Sequence, residues 1–267
     1  MNKITYSIIT INYNNHDGLI KTTQSVIPLL NSGIEWIIID GLSSDNSPDF
    51  IRNCSFANKY LIEKDNGIYD AMNKGIDIAS GDFIIFMNSG DEFHPHFSFE
   101  KIDSILENKD ISQCIIYGNT LRKLNHLFYL DEVNDSYDSW WEKVIPCHQS
   151  IIIPRNYMVQ NKFDINYKIF ADRINVQSAF YSLKTHININ ETISIYEVGG
   201  VSSIGAKTFS KLRVFINEFI DVNSRNLNTL SKVKLKTKLY FKYTIIRLIG
   251  YRLYYGLVYA IKSAKKK

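Results

Sequence analysis

The residues with the most evident chemistry follow an apolar run in the first third of the chain. Residues 83–87 are short, apolar and aromatic enough for a buried strand, and the polar sequence Asn88-Ser89-Gly90-Asp91-Glu92 follows directly. In open α/β sheets, ligands bind at the carboxyl ends of the strands. A hard divalent cation prefers oxygen ligands and commonly bridges one or two carboxylates to substrate phosphates. The pattern therefore indicates a metal site at Asp91.

Two earlier apolar runs also end in polar residues. Residues 10–15 close the first run and residues 40–44 close the second. Right-handed crossovers would bring the ends of these strands to one edge of a sheet. Any one such loop is explained by the turn preference of Asp and Asn. Three of them together favour a nucleotide-binding edge.

The elements that must position these residues alternate along the chain. Apolar runs of strand length lie at 4–12, 36–39, 59–63 and 83–87. Between them, helical spacing or capping residues predict helices from a cap at Asp17 to about Leu30, over 48–53, and over 68–79. This βαβαβαβ order predicts a parallel sheet covered on both faces, which is the α/β class.

Composition sets limits on compartment and partners. The chain has 267 residues, 45% hydrophobic and 22% charged, which is ordinary for a globular protein. Its three cysteines are too few and too scattered for a disulfide framework, and the first residues lack the pattern of a signal peptide, so we expect a cytoplasmic protein. Residues 207–267 carry a net charge of +13 and residues 1–206 carry −9. This asymmetry predicts a basic tail directed at an anionic partner, with membrane and nucleic acid both candidates.

Four segments in the first third resemble the successive motifs of family 2 glycosyltransferases, which have the GT-A fold. These segments are SIITINYNN, WIIIDGLSSDNS, EKDNGIYDAMNKGI and GDFIIFMNSGDEF, and weaker similarity resumes at PCHQS and IFADRIN. The similarity is greatest to the bacterial group that builds capsule, exopolysaccharide and lipopolysaccharide O-antigen chains. It implies a Rossmann-like, mostly parallel central sheet. No GxGxxG or GxxxxGK[ST] sequence is present, which weighs against a dinucleotide fingerprint or a P-loop.

The resemblance also implies a binding site for a nucleoside-diphosphate sugar. Its residues would contact the base, the ribose and the diphosphate of the donor. They are Thr10, Asn12, Tyr13, Asp40, Asp65, Gly67, Asn73, Lys74, Asn88 and Ser89. A solvated helix position is the alternative for Lys74, and a simple turn is the alternative for Gly67.

The metal motif of the family is usually two acids separated by one residue. In this chain the corresponding place reads Asn88-Ser89-Gly90-Asp91, so only the last acid remains. The resemblance implies that Asp91 holds Mg²⁺ or Mn²⁺. Such an ion would neutralise the charge that grows on the departing nucleoside diphosphate.

Two further residues are implied as catalytic. Asp172, in the sequence IFADRIN, is the candidate base that removes the proton of the acceptor hydroxyl. His148, with Gln149, would lie near the acceptor or the donor phosphates. The alternatives are a structural histidine and an aspartate that caps a helix or pairs with Arg173. Trp140 and Trp141 are candidates for stacking on an acceptor sugar, with burial in the core as the alternative.

The chain divides into a GT-A domain at 1–206, with donor and acceptor halves at about 1–100 and 101–206, and a basic helical tail at 207–267. Gly199, Gly200 and Gly205 mark a loop at this boundary. Lys242, Arg247 and Arg252 oppose a transmembrane helix, because each cation costs about 2.5–3.5 kcal/mol at the bilayer centre. We expect a helix on the inner face of the cytoplasmic membrane, with packing on the body or on a second subunit as the alternative.

The predicted function is an inverting, metal-dependent glycosyl transfer. The sugar moves from a nucleoside diphosphate, with UDP expected, to a hydroxyl of a lipid-linked glycan in bacterial surface polysaccharide synthesis. A sugar nucleotidyltransferase is an alternative, but its Gly-rich loop is missing after the first strand. The other alternative is a non-catalytic membrane or nucleic-acid binding protein with a degenerate nucleotide site, and nucleic acid is the less favoured partner.

Overall fold

The computed structural model describes residues 3–124, 126–135, 145–198, 209–223, 229–250, 253–254 and 256–258. The strands are β1 (Tyr6–Asn12), β2 (Ile34–Asp40), β3 (Lys59–Ile62), β4 (Phe83–Phe86), β5 (Glu92–Phe93), β6 (Cys114–Leu124), β7 (Leu127–Asp131), β8 (Ile151–Pro154) and β9 (Thr185–Glu197). The helices are α1 (His16–Val26), α2 (Ser47–Arg52), α3 (Ile68–Ile78), α4 (Phe99–Leu106), α5 (Arg155–Gln160), α6 (Ala171–Ser182), α7 (Phe209–Asn223) and α8 (Thr229–Ile249).

The described strands form one sheet in the order β3-β2-β1-β4-β8-β6-β9-β5, and β7 pairs with the outer part of β6. The first four strands in this order are parallel, as the alternating helices require. Beyond β4 the sheet is mixed, because β8 runs antiparallel to both β4 and β6 while β9 runs parallel to β6. This architecture confirms the predicted α/β class.

Both faces of the sheet are buried. Successive side chains of a strand point to opposite faces, so Ile9 on β1 packs in one core cluster with Met72 of α3. Ile8 packs in the other cluster with Leu19 of α1. Helix α3 lies very close to the sheet at Gly75, where an added Cβ would be 2.5 Å from Cγ2 of Ile9. The sheet is therefore held rigidly beneath the loops at its edge.

Two local predictions were wrong. Helix α1 begins at His16, with Asp17 inside its first turn, because Asn15 occupies the cap position; the helix ends at Val26 and a 3₁₀ turn follows. The apolar residues 114–117 predict a strand that ends at Gly118 and Asn119. Strand β6 instead continues to Leu124, because the chain accommodates register shifts between residues 117 and 120 and then turns into a hairpin with β7.

The described part of the tail is helical and packs on the body. Leu239, Tyr243 and Ile246 of α8 are buried with Phe215 of α7 and with Ile169, which precedes α6. None of the helices in the described ranges combines the length and the apolar character needed to cross a bilayer. Trp140, Trp141, Gly199, Gly200 and Gly205 lie outside the described residues, as does the predicted domain boundary.

Candidate active site

The carboxyl ends of β1, β2 and β4 meet at one edge, which we call the carboxyl edge. Asn12 and Asp40 are paired in register at the ends of β1 and β2. The N–H of Gly41 donates to the Asn12 carbonyl at 3.0 Å, and the N–H of Ser89 donates to the Ile11 carbonyl at 3.1 Å. The three polar loops singled out in the sequence are therefore neighbours.

Two of the residues predicted to bind the nucleotide sugar lie beneath this edge. Thr10 is fully buried and accepts a hydrogen bond from Nε1 of Trp36 at 3.0 Å. Asp40 is also fully buried, and its carboxylate accepts from Nδ2 of Asn12 at 2.7 Å and from the N–H and Oγ of Ser43 at 2.8 and 2.7 Å. Both side chains shape the edge from below. The same network leaves Oδ1 of Asn12 buried without a hydrogen-bond partner among the described residues.

Tyr13, Gly41 and Asp65 form the accessible part of the edge beside β2. The Tyr13 ring is 65% exposed. A Cβ on Gly41 would be 2.3 Å from Oδ2 of Asp65 and 3.1 Å from Cδ2 of Tyr13, so the glycine makes room for both side chains. Asp65 Oδ1 accepts from the N–H of Gly67, whose φ of +117° favours glycine at the start of α3.

Two residues of α3 that were predicted to bind the nucleotide sugar contact other parts of the protein. Asn73 holds the backbone of Phe163, donating to its carbonyl at 2.9 Å and accepting from its N–H at 2.9 Å. Lys74 forms ion pairs with Glu63 at 2.8 Å and Asp70 at 3.6 Å. Partial burial lowers the pKa of Lys74, but these carboxylates outweigh it and raise the pKa overall. The predicted contacts of Asn73 and Lys74 with the nucleotide sugar stay predictions.

The loop of Asn88, Ser89, Gly90 and Asp91 is fastened to the start of α1. Nδ2 of Asn15 donates to the carbonyl of Ser89 at 2.9 Å and to its Oγ at 3.1 Å. Thr22 Oγ1 accepts from the N–H of Gly90 at 3.0 Å and donates to the Asp91 carbonyl at 2.6 Å. Gly90 itself has a φ of +103°. These bonds fix the direction of the side chains before any ligand binds.

The Asp91 carboxylate is nearly buried and is held by two hydrogen bonds. Its Oδ2 accepts from Nε2 of Gln149 at 2.6 Å, and its Oδ1 accepts from the N–H of Glu197 at 3.2 Å. The residue is only 7% exposed. Burial raises the pKa of Asp91 to about 6, although these donors and the nearby cations act in the opposite direction.

His148 and Asp172 are brought together at the start of α6. His148 Nδ1 lies 3.0 Å from Asp172 Oδ2, and the hydroxyl of Tyr69 donates to Asp172 Oδ1 at 2.9 Å. The other ring nitrogen, Nε2, lies 3.2 Å from Nδ2 of Asn88. Because Nδ1 faces a carboxylate, the neutral ring carries its proton there and Nε2 is the acceptor. A continuous chain of contacts therefore joins Tyr69, Asp172, His148 and Asn88.

Asp172 is held in its ionised form. Burial alone would raise its pKa, but the hydrogen bonds and charge of His148, the N–H of Arg173 and the hydroxyl of Tyr69 lower the pKa overall. The side chain is 25% exposed and that of His148 is 16% exposed, so both remain accessible. The pair combines an ionised carboxylate with an oriented imidazole, which is an arrangement suited to proton transfer.

Comparison with known proteins identifies the chain. Residues 7–147 match the model of the glycosyl transferase family 2. The chain belongs to this family. An uncharacterised glycosyltransferase of Mycobacterium tuberculosis is 32% identical over 179 residues, which cover 63% of this chain and 66% of the relative. A PGL/p-HBAD biosynthesis glycosyltransferase of Mycobacterium bovis is 24% identical over 148 residues, covering 52% and 55%. The matched regions thus span about two thirds or less of these relatives.

Solved structures support the family fold. Residues 1–349 of Staphylococcus aureus TarS, in complex with UDP-GlcNAc, align with a TM-score of 0.62 at 12% identity, covering 88% of this chain and 71% of that one. The complex of the same protein with UDP aligns with a TM-score of 0.59. The sequence-based expectations of family 2 and of a GT-A fold are confirmed.

Asn88 and Asp91 provide the oxygen atoms closest in kind to what the implied metal requires. Oδ1 of Asn88 is buried and has no hydrogen-bond partner among the described residues. Each oxygen of Asp91 accepts one hydrogen bond and keeps a second acceptor position, and carboxylates that bind metals are usually hydrogen-bonded in this way. No three His, Cys, Asp or Glu side chains gather around a common point in the part of the chain described. The set fits a cation anchored by one carboxylate, with the diphosphate and water supplying the remaining ligands.

Sequence reasoning missed several contributors to this family 2 site. Tyr69 reaches Asp172 across 103 residues of sequence, and Asn15 and Thr22 fasten the 88–91 loop from α1. Asn15 and Thr22 carried no signal beyond turn and helix patterns. Tyr69 stands inside the motif EKDNGIYDAMNKGI, but no role was predicted for it from the sequence. A groove of about 630 Å³ lies between α1 and α2, and none of the predicted site residues lines it.

Proposed function

We propose that this protein is an inverting glycosyltransferase that uses a nucleoside-diphosphate sugar as donor. The observation that supports this best is the chain of contacts from Asp172 through His148 to Asn88, because it links a proton acceptor to the donor-side loop. In the reaction, the acceptor oxygen forms a bond to the anomeric carbon as the bond to the diphosphate breaks. The electron pair leaves with the diphosphate, and the acceptor proton passes to the enzyme.

The protein side chains divide the work as follows. His148 and Asp172 form a proton-accepting pair, with Asp172 as the predicted base and His148 oriented beside it. Asn88 spans the space between this pair and the donor. Asp40, Thr10 and Ser43 support Asn12 and the ends of β1 and β2 from below, while Tyr13 and Asp65 are available to the base and ribose.

Asp91 is proposed to hold Mg²⁺ or Mn²⁺ together with the donor diphosphate. The ion would supply charge neutralisation for the departing group. Gln149 and the N–H of Glu197 would keep the carboxylate in place, as donors around a metal ligand commonly do. UDP is the proposed nucleotide, by analogy with TarS, whose structures contain UDP and UDP-GlcNAc.

Nucleotide binding tests this donor site. Calorimetry would compare UDP, GDP, CMP and dTDP with Mn²⁺, with Mg²⁺ and with chelator, for wild type and Asp91→Ala. We expect metal-dependent binding of one nucleotide that is lost in Asp91→Ala. Asp49→Ala is the matched control, because it removes an exposed carboxylate on α2 that pairs with Arg52. No binding of any nucleotide under these conditions would contradict the proposal.

The acceptor is proposed to be a lipid-linked glycan at the inner face of the cytoplasmic membrane, as in the synthesis of bacterial surface polysaccharides. The support comes from α8. Opposite the face packed on α7, this helix exposes Leu230, Val233, Phe241 and Leu248, whose spacing places them in one stripe. We call this stripe the outer face of α8.

The charge around the outer face suits an anionic surface. Lys234 and Lys238 are exposed along one side of the stripe and Lys236 along the other. The sequence of α8 contains no Asp or Glu. An apolar stripe flanked by lysines binds at the interface of a membrane that carries anionic lipids.

Vesicle sedimentation tests this attachment. The full chain should bind vesicles that contain anionic phosphatidylglycerol more tightly than neutral vesicles. Phe241→Glu should weaken that binding by about tenfold, because it places an anion on the outer face. Phe56→Glu is the control, since Phe56 is 51% exposed but lies before β3. Equal binding of wild type and Phe241→Glu would rule out this attachment.

A further inference from the structure

A cleft of about 260 Å³ opens beside the proton-accepting pair. His148 and Asp172 line it, together with Arg122 of β6 and Arg173 of α6. Its volume is near the lower limit of ligand pockets, which are typically about 300–1,000 Å³. A cleft next to the predicted base is where the acceptor hydroxyl must arrive, so its lining should report the chemistry of the acceptor.

Arg173 has an unmet need for an acceptor. Its Nε is buried and has no hydrogen-bond partner among the described residues. Burial lowers the pKa of this guanidinium, with only the Asp172 charge opposing the effect. That carboxylate already accepts hydrogen bonds from Tyr69 and from the Arg173 backbone and faces His148. A buried guanidinium N–H without an acceptor is costly, and an anionic ligand would remove that cost.

Arg122 adds a second cation on the cleft wall. Its Nε donates to Asp131 at 2.7 Å, and its guanidinium lies over the Tyr196 ring with Cζ 5.4 Å from the centroid. Arginine has five N–H donors, and this ion pair uses only the one on Nε. The ring and Asp131 hold the guanidinium in a fixed position, which lowers the entropy cost of binding a phosphate or carboxylate.

Apolar side chains make up most of the remaining lining of the cleft. They include Ile169, Phe170 and Val176, while Cys147 and Gln149 contribute polar atoms. Fixed cations against an apolar wall bind a charged group more strongly than they would in water, because the local dielectric constant is lower. Asp172 is the acidic side chain among the described lining residues, and its charge is directed at His148.

We propose that this cleft binds an anionic group of the acceptor, a phosphate or a carboxylate, through Arg173 and Arg122. The proposal rests on the proposed function, since it names the acceptor class for the same site. The anion would be held while a neighbouring hydroxyl reaches the His148–Asp172 pair. A neutral sugar without such a group would leave Nε of Arg173 without a charged acceptor and would bind more weakly.

Small, lipid-free sugars separate this contact from membrane attachment. NMR titration of the full chain, saturated with UDP and Mn²⁺, would compare glucose 1-phosphate, glucuronate and glucose. We expect at least one of the two anions to bind about tenfold or more tightly than glucose, as a charge-assisted hydrogen bond to arginine requires. The phosphate and carboxylate arms then identify which anion the cleft prefers. Equal affinity for all three sugars, or no binding of either anion, would overturn the proposal.

Variants locate the contact. Arg173→Gln and Arg122→Gln should each weaken anion binding by about tenfold and should leave the affinity for glucose unchanged. Arg52→Gln is the matched control, because Arg52, like Arg122, pairs with an aspartate but lies on α2, away from the cleft. Thermal melting and UDP titration of each variant report on the fold and the donor site. Anion affinity unchanged in both cleft variants would overturn the proposal, whereas loss of UDP binding by wild type would contradict only the donor site.

Discussion

The two ends of the parallel strands carry polar networks of opposite character. At the amino-terminal edge, Glu35 accepts from Oγ of Ser7 at 2.6 Å and from Oγ of Ser80 at 2.8 Å, and its carboxylate pairs with Lys59 at 2.8 Å. At the carboxyl edge, Oδ1 of Asn12 and Oδ1 of Asn88 are buried without a partner among the described residues.

The difference shows how to tell a structural network from a binding site. A buried polar group without a hydrogen bond costs about 1–3 kcal/mol, so a fold tolerates it only where something else compensates. The Glu35 carboxylate is fully hydrogen-bonded and ion-paired within the protein, and its network stabilises the fold. At the carboxyl edge, the two asparagine oxygens accept no hydrogen bond from the described residues. This is the state expected of a site that completes its hydrogen bonds with a ligand.

The largest expected effect is on catalysis at the carboxyl edge. Asp172→Asn should lower the transfer rate by about 10²–10⁴-fold, because the amide cannot take a proton or hold His148 in the same tautomer. Donor affinity should change little. Asp77→Asn is a suitable control, since Asp77 is exposed and pairs with Lys162. A steady-state assay in which Asp172→Asn retains full activity would remove the proton-accepting pair from the mechanism.

At the amino-terminal edge the expected effect is on stability. Burial raises the pKa of Glu35, but Lys59, Ser7 and Ser80 outweigh it and lower the pKa from 4.5 to about 2. A depressed carboxylate pKa stabilises the fold above pH 4.5 and loses that contribution as the pH falls towards about 2. Glu35→Gln should therefore lower the free energy of unfolding by about 2 kcal/mol at pH 7, after allowance for solvent around the partly exposed Lys59.

Urea titrations at pH 7 and pH 3 check this sign. The difference between wild type and Glu35→Gln should shrink at the lower pH, because pH 3 lies below the unfolded-state pKa of 4.5 and the unfolded wild-type chain then takes up a proton that folded Glu35 does not. A difference that grows as the pH falls would show that Glu35 is not the ionised centre of this network.

Asn73 of α3 distinguishes a structural hydrogen bond from a contact with the nucleotide. Asn73→Ala leaves both backbone groups of Phe163 without their partner and should lower the free energy of unfolding by about 2 kcal/mol. Asn66→Ala, at an exposed position before the same helix, is the control. A variant that keeps full stability but loses UDP affinity would restore Asn73 to the role predicted from its motif.

The smallest expected effect concerns Gly41. Gly41→Ala would place a Cβ 2.3 Å from Oδ2 of Asp65, and that flexible carboxylate can move away at little cost to the fold. We expect UDP affinity to fall by about tenfold with a nearly unchanged melting temperature. Unchanged affinity would indicate that Asp65 and Tyr13 are not in contact with the nucleotide.

Sequence reasoning found the first half of the fold because its signals are local. The apolar runs of β1, β2 and β4 and the spacing of α3 are each readable within a few residues. The convergence of the three polar loops then follows from the handedness of the crossovers. The end of strand β6 was predicted wrongly because the register shift around Gly118 arises in its pairing with β9, which no short stretch of sequence reports.

Residue roles were harder because burial is a tertiary property. Asp40 and Asp172 are both acids in family motifs, yet Asp40 is fully buried while Asp172 remains 25% exposed beside His148. The bonds of Tyr69 to Asp172 and of Asn73 to Phe163 join positions about a hundred residues apart. Arg122 and Arg173 carried no local pattern that placed them in one cleft.

Amide hydrogen exchange with and without UDP and Mn²⁺ tests the contrast between the two edges most directly. We predict that ligand binding slows amide exchange in the loops of the carboxyl edge, at residues 12–15, 40–44 and 88–91. The amino-terminal edge, at residues 33–35 and 80–82, should show no change. Protection confined to the amino-terminal edge, or absent from all three loops at saturating UDP, would contradict the account.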